Sequence, residues 1–382
     1  MTTPLHREPS SFDGTDPHPP PEKRTDPWAI ALGLLGGVLL GTGLTFAILG
    51  FVGVFEEPTP PTIPPAPTLT APNPTAPPAA FGDEISVASV AARVIPSTVA
   101  VEVSSLLLGG SGSGVIYGES GYIITNHHVI DGAGEVAVVF ADGARFPADI
   151  IGSDPVTDIA VLRVQRQDLA PIAIGNADGL SIGDPAVAVG NPLGLEGGPT
   201  VTTGVVSALD RQLEVTAGET LFGLVQTDAP IAPGSSGGAL VDAAGRLIGI
   251  TTAIAVSNVG PEGLGFAVPV DIAVSVANDL IDEGEVRHAR IGIVGATAWA
   301  DEGGAEFPVG VLIEEITAGS AYEEAGGQLN DVVVAIDGSE VHTIDGLLSR
   351  LRRYRAGETI PVRILRGDGE TTLEVTMGLL TP

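Results

Sequence analysis

Between residues 84 and 270 the chain is a series of short apolar or alternating runs broken by Gly, Asp, Asn and Pro. The runs are Thr98–Val103, Gly114–Tyr117, Tyr122–Thr125, Glu135–Phe140, Ile159–Val164, Ala186–Val189, Thr200–Ser207, Gly223–Gln226, Gly238–Val241, Leu247–Thr252 and Gly265–Val268. A strand sends successive side chains to opposite faces, so short runs with turn residues between them predict an all-β sandwich or barrel. The length suits two small barrels. Asp271 is then placed to cap a helix running to about Glu283, with Ile272, Val276, Leu280 and Ile281 on one face. Residues 289–378 mix the two periods: strand-like Arg290–Val294, Gly310–Ile316 and Asp331–Ile336, a short helix near Tyr322–Ala325, a helix over Ile344–Tyr354, and paired strands Thr359–Leu365 and Thr371–Thr376. Arg366-Gly367-Asp368-Gly369 reads as the hairpin turn between the last two.

The N-terminal part follows other rules. Residues 1–27 are polar, Pro-rich and aperiodic, as disordered segments are. Residues 28–55 carry no charge and are long enough to span a bilayer as a helix, which needs about 20 apolar residues. A cleaved signal peptide would have a shorter apolar region followed by a small-residue cleavage site; here Glu56-Glu57-Pro58 follows directly. Lys23 and Arg24 before the run and Glu56 and Glu57 after it predict a single-pass anchor with its N-terminus in the cytoplasm and the rest outside. Residues 56–83 then hold ten prolines between Pro58 and Pro78, a polyproline-type spacer.

Composition narrows the function. Lys and Arg number 17 against 47 Asp and Glu, a net charge of −30. Such a chain repels phosphate backbones, so nucleic acid is not an expected partner. There is no Cys, which removes disulfides, thiol catalysis and thiolate zinc sites. No ligand cluster of metal-binding spacing is evident, and neither a metal nor an organic cofactor is expected.

The six histidines are His6, His18, His127, His128, His288 and His342. Only His127 and His128 fall in the β-rich domain, at the end of a strand. Asp154 and Asp158 follow, and then Ser236 within Gly234-Ser235-Ser236-Gly237-Gly238. A serine hydroxyl is a weak nucleophile until a base takes its proton and an anion steadies the resulting imidazolium. Glycines beside it let backbone N–H groups approach a developing oxyanion. The candidate oxyanion turn is Gly234, Ser235 and Ser236, with Gly234 and Ser236 as the donors. Gly-x-Ser-x-Gly also fits the nucleophile elbow of α/β-hydrolases. That fold needs a strand leading into the serine and a histidine downstream, whereas Pro230 and Pro233 precede Ser236 and later histidines lie outside the domain.

Seven segments together resemble the HtrA (Deg) family of trypsin-fold serine proteases with a C-terminal PDZ domain. They are Thr125–Val129, Asp154–Val161, Gly190–Gly194, Thr203–Ser207, Thr227–Ala229, Gly234–Gly238 and Gly263–Pro269. The resemblance implies a mostly β fold: a two-barrel trypsin-like protease domain over 84–270, a linking helix over 271–288 and a small α+β PDZ domain over 289–378, preceded by the transmembrane helix and Pro-rich linker. It implies that His128, which precedes Val129, is the base rather than His127. Asp158 is then the orienting acid rather than Asp154, and Ser236 the nucleophile. Ser235 stands where the family carries Asn, a position that acts through its backbone.

By the same resemblance, Pro230 lies at the floor of the primary pocket, where an acid would select Lys or Arg, and Ile254 lines it, favouring small aliphatic residues. Arg290, Ile291, Gly292 and Ile293 form the carboxylate loop of the PDZ domain, and Leu347 and Leu351, with Leu348, line its groove. Expected partners are protein and peptide substrates, C-terminal tails at the PDZ domain, the membrane, and two further copies in a homotrimer. A catalytically latent peptide-binding adaptor is the alternative.

Overall fold

The computed structural model describes residues 86–104, 109–191, 198–216, 219–257 and 260–380, the side chains of 216, 219, 253–257 and 260–262 excepted. The predicted anchor over 28–55 and the linker over 56–83 lie outside the described residues. Among the described residues no helix is long and apolar enough to cross a membrane.

Helix α1 (Val87–Val94) opens on Ser86, whose hydroxyl caps the Ala88 N–H, and buries Val90 and Val94. Six antiparallel strands then close the first barrel, in the order β1-β2-β3-β6-β5-β4. They are β1 (Thr98–Ser104), β2 (Gly109–Ile116), β3 (Tyr122–Thr125), β4 (Glu135–Val139), β5 (Arg145–Asp154) and β6 (Ile159–Val164), with the one-turn helix α2 (His127–Ile130) after β3. The second barrel closes in the order β10-β11-β12-β9-β8-β7. Its strands are β7 (Pro185–Gly190), β8 (Thr200–Thr216), β9 (Glu219–Thr227), β10 (Ala239–Val241), β11 (Leu247–Ser257) and β12 (Gly260–Pro269). Val99, Val101, Ile116 and Leu162 fill the first barrel; Ala186, Val225, Leu240 and Ala267 fill the second. Between them, Val115, Ile124, Val161, Val189, Ala239 and Ile250 form a shared core with α1 and the helix after β12. The candidate site residues lie between strands: His128 after β3, Asp158 between β5 and β6, and Ser236 before β10.

That helix, α3 (Val270–Asp282), begins two residues earlier than a cap at Asp271 predicts. Pro269, in extended conformation, is its N-cap, and Asp271 lies inside the first turn, where a carboxylate favours the positive end of the helix dipole. Ile272, Val276 and Leu280 are buried as expected, and Ile281 is half-buried.

In the C-terminal part the short pair β13 (Ala289–Arg290) and β20 (Gly378–Leu379) closes the domain. The main sheet runs β14-β15-β16-β18-β19, with β17 on β16. The members are β14 (Ile293–Glu302), β15 (Ala305–Ile316), β16 (Val332–Ile336), β17 (Ser339–Glu340), β18 (Thr359–Arg366) and β19 (Gly369–Thr376), with helices α4 (Ala321–Glu324) and α5 (Ile344–Leu351). β14 and β15 are longer than predicted because they continue outward to a tip at Gly303-Gly304. Both glycines there have positive φ, the geometry of a tight hairpin turn. Helix α5 stops at Leu351 rather than Tyr354. Thr343 caps its start through Oγ1 on the Gly346 N–H at 3.0 Å.

Candidate active site

β3 ends on Thr125, and Asn126 turns the chain into α2, which carries His127 and His128. β5 ends on Asp154, and the turn to β6 brings Asp158 back beneath α2. Asp158 adopts φ of 58°, a left-handed conformation that Asp tolerates better than most residues. It is held there by its backbone. Its carbonyl accepts the Asn126 Nδ2–H at 2.8 Å and the His127 N–H at 3.2 Å.

The Asp158 carboxylate faces His128. Nδ1 of His128 lies 2.8 Å from Oδ2 and 3.0 Å from Oδ1, and the His128 N–H donates to Oδ1 at 3.0 Å. The carboxylate side chain is 8% exposed and the imidazole 49%, so the acid is buried while the base faces solvent. Thr252, in β11 of the second barrel, donates its Oγ1 proton to Asp158 Oδ2 and accepts the Ser236 hydroxyl proton on its carbonyl at 2.9 Å. His128, Asp158, Thr252 and Ser236 thus form one chain of contacts across the two barrels. Among the described residues no hydrogen bond joins Ser236 Oγ to His128. His127 points elsewhere: its Nδ1 lies 3.0 Å from Ser153 Oγ.

Ser236 follows a tight turn. The Ser235 N–H donates to the Ala232 carbonyl at 2.9 Å, so of the three residues expected in the oxyanion turn, Ser235 has its N–H already engaged. The N–H groups of Gly234 and Ser236 have no acceptor among the described residues. Gly237 permits the sequel, since at φ of 85° a Cβ would lie 2.1 Å from the Ser113 carbonyl oxygen.

Beside this turn is a cavity of about 110 Å³. Pro230, Ile231, Ala232, Ser235, Thr202 and Thr251 line it, with no charged group among them. The Pro230 carbonyl accepts the Thr202 hydroxyl at 2.7 Å. Ile254 stands in β11 opposite Gly265, and its side chain lies outside the described residues.

The turn that presents Asp158 is itself anchored by a residue that sequence reasoning set aside. His288 Nε2 lies 2.9 Å from Asp154 Oδ1, both side chains buried, and Asp154 also accepts the Thr157 N–H at 3.1 Å and the Thr157 hydroxyl. Burial alone pushes the Asp154 carboxyl up, but the hydrogen bond and charge of His288, with the Thr157 and Val156 contacts, outweigh it and hold the group below its ordinary 3.8. A carboxyl depressed in the folded state adds stability above its unfolded value and loses it as pH falls through the folded one. This contribution is present at neutral pH, and its loss sets in as pH falls below 3.8. Asp154→Asn is expected to cost about 2 kcal/mol at pH 7, the scale of a buried hydrogen bond left unpaired. It is also expected to flatten the acid limb of a plot of melting midpoint against pH. An acid limb equal to that of the wild type would exclude the assignment.

Residues 112–250 match the trypsin-like peptidase domain family, and residues 273–377 the PDZ domain family. Serine protease PepD of Mycobacterium tuberculosis is 37% identical over 385 residues, covering 94% of this chain and 80% of PepD. This chain belongs to the HtrA/Deg family of serine proteases. Another HtrA/Deg relative, the periplasmic pH-dependent serine endoprotease DegQ of Escherichia coli, is 41% identical over 280 residues, which span 71% of this chain and 60% of DegQ. Among solved structures, the HtrA-type protease AlgW with a tripeptide superposes with a TM-score of 0.64 at 35% identity, covering 78% of this chain and 98% of AlgW.

In the PDZ domain of this HtrA/Deg chain, the predicted peptide-binding residues divide. Ile291, Leu347 and Leu351 are 2%, 1% and 8% exposed and pack together in the domain core, while Leu348 is half-exposed. Gly292 has φ of 79° and accepts the Thr317 N–H on its carbonyl at 2.9 Å. Arg290 reaches Thr317 Oγ1 at 3.4 Å, and Ile293 begins the edge strand β14. α5, which carries the leucines, packs on β9 and β8 of the second barrel as well as on the PDZ sheet.

Proposed function

We propose that this HtrA/Deg protein is an extracytoplasmic serine endopeptidase acting on misfolded or regulatory proteins, with His128, Asp158 and Ser236 as its catalytic residues. The observation that carries the reading is the paired contact of His128 Nδ1 with both Asp158 oxygens, joined through Thr252 to the Ser236 hydroxyl. With Nδ1 bound to a carboxylate, His128 keeps its proton there and presents Nε2 as the base. Turning the Ser236 hydroxyl from Thr252 toward His128 lets Nε2 take its proton as Oγ attacks the scissile carbonyl. The oxyanion is stabilised by the N–H groups of Gly234 and Ser236. His128 then returns the proton to the leaving amine, and water releases the acyl group by the same steps in reverse order.

The uncharged cavity beside Ser236 supports cleavage after small aliphatic residues rather than Lys or Arg. Residues 28–55 supply a single membrane anchor with the N-terminus in the cytoplasm. C-terminal tails bind along Arg290–Ile293 and shift activity by a coupling of about 1–3 kcal/mol. Assembly is as a homotrimer through the protease domain. The adaptor alternative is not favoured, since the relatives named above are proteases.

Labelling of the full chain with a fluorophosphonate tests the reading. The expected adduct is on Ser236 alone, faster when a peptide with a free C-terminal carboxylate is added. Absence of label with and without peptide would sink the enzyme.

A further inference from the structure

The inner half of β2 carries a serine for which the chemistry above has no use. Ser113 is 0% exposed. Every polar atom it has is engaged. Its N–H donates to the Ser236 carbonyl at 2.7 Å, and its carbonyl accepts the Thr125 hydroxyl at 2.7 Å. Its Oγ donates to the Gly234 carbonyl at 2.7 Å and accepts the Asn191 N–H at 2.7 Å. A hydroxyl has one proton, and here it is committed to Gly234.

The Gly234 carbonyl belongs to the peptide group that joins Gly234 to Ser235. The N–H of the same group is the one that donates to Ala232. In a trans peptide the C=O and N–H point in opposite directions in one plane, so a partner at each end fixes the orientation of that plane. Were this group to rotate, its neighbours would rotate with it, and the N–H groups of Gly234 and Ser236 would lose their common direction. Both are without an acceptor among the described residues, which is the state an oxyanion requires.

We propose that Ser113 is a positioning residue for the oxyanion turn. Its hydroxyl holds the Gly234–Ser235 peptide so that the Gly234 and Ser236 N–H groups converge on the tetrahedral intermediate. Through Asn191 it also ties that turn to the segment leaving β7. This rests on the endopeptidase reading and adds a residue to it that does not touch substrate.

The test separates positioning from plain stability. In Ser113→Ala, substrate still binds, but the developing charge meets a turn that has lost its clamp. The expected result with a peptide substrate is a fall in kcat of tenfold to about a hundredfold, with KM within twofold. Affinity for a peptidyl boronate, whose tetrahedral adduct places an oxygen at the same donors, is expected to fall by the same factor. Affinity for the matching peptide without boron should change less than twofold. A kcat within twofold of wild type in folded Ser113→Ala, or a loss carried wholly by KM, overturns the proposal. Should the alanine variant not fold, a crystal structure of the wild-type boronate adduct decides. The Ser113–Gly234 hydrogen bond must persist there with the adduct oxygen about 3 Å from both N–H groups. A Gly234 carbonyl turned away from Ser113 overturns the assignment. If the wild type itself neither hydrolyses peptide nor takes a fluorophosphonate label, the endopeptidase reading falls first.

Discussion

Ser236→Ala is expected to abolish peptide hydrolysis, with kcat lower by about six orders of magnitude, the scale seen when a serine nucleophile is removed from a complete triad. Alanine leaves nothing to attack the carbonyl. On the proposed mechanism the other groups cannot compensate, because His128 acts only through the Ser236 proton and Asp158 only through His128. The fold should persist. Among the described residues Ser236 Oγ makes a single hydrogen bond, to the Thr252 carbonyl, and its backbone carbonyl still receives the Ser113 N–H. The melting midpoint is therefore expected within a few degrees of wild type, a shift of about 1 kcal/mol at most. Substrate peptide should still bind. The measurement is kcat on a peptide substrate beside a thermal melt and an N-terminal cleavage profile of a protein mixture. Hydrolysis above a thousandth of the wild-type rate, in protein free of contaminating protease, would show that another residue is the nucleophile.

Asp158→Asn should reduce kcat by about 10⁴ with the structure almost intact. The carboxylate accepts from His128 Nδ1, the His128 N–H and Thr252 Oγ1, and it donates to none of them. An asparagine of the same shape has one acceptor and one donor. Its NH₂ group facing Nδ1 would require Nδ1 to be the acceptor. The ring proton would then move to Nε2, the atom that has to take the proton of Ser236. The base is lost by tautomer rather than by distance, so KM should change little while kcat collapses. The contrast with Asp154→Asn is informative. That variant touches the same turn four residues earlier, where the partner is His288, and is expected to act on stability and its acid dependence. Equal losses of kcat from the two would overturn the division of labour between them.

Several features were readable along the chain. β1, β3, β6 and β10 lie close to their predicted runs because most of their residues are buried on both faces, which calls for the short, nearly unbroken apolar runs that the sequence shows. β5 has no such signature. Its residues are nearly all exposed or half-buried, and it carries Pro147, so neither alternation nor β-propensity marks it; pairing with β4 and β6 makes it a strand. β8 and β9 extend beyond their predicted runs through pairing with each other, to Thr216↔Glu219. Likewise Leu347 and Leu351, which the resemblance assigned to the groove, are 1% and 8% exposed and belong to the buried cluster of the domain, a burial that only the packing shows.

The candidate site divides along the same line. His128, Asp158 and Ser236 were legible because each sits in a short motif whose spacing is local. Thr252, Ser113 and His288 were not. Thr252 ends an ordinary apolar strand run, Ser113 sits in a Gly-Ser repeat that resembles a loop, and His288 lies beyond the helix that ends the barrels. Their partners are 94, 121 and 134 residues away in the chain, at Asp158, Gly234 and Asp154. By itself the sequence determined the order of elements, the family, the acidic balance and the three candidate side chains of the site, since these depend on local pattern and composition. Only the tertiary structure decided which way those side chains face, which N–H groups of the Gly234–Ser236 turn lack an acceptor among the described residues, and which buried hydroxyl and imidazole bond to the turns. Such contacts arise when barrel closure brings distant strand ends together, and a hydrogen bond is set by distance and angle rather than by sequence separation.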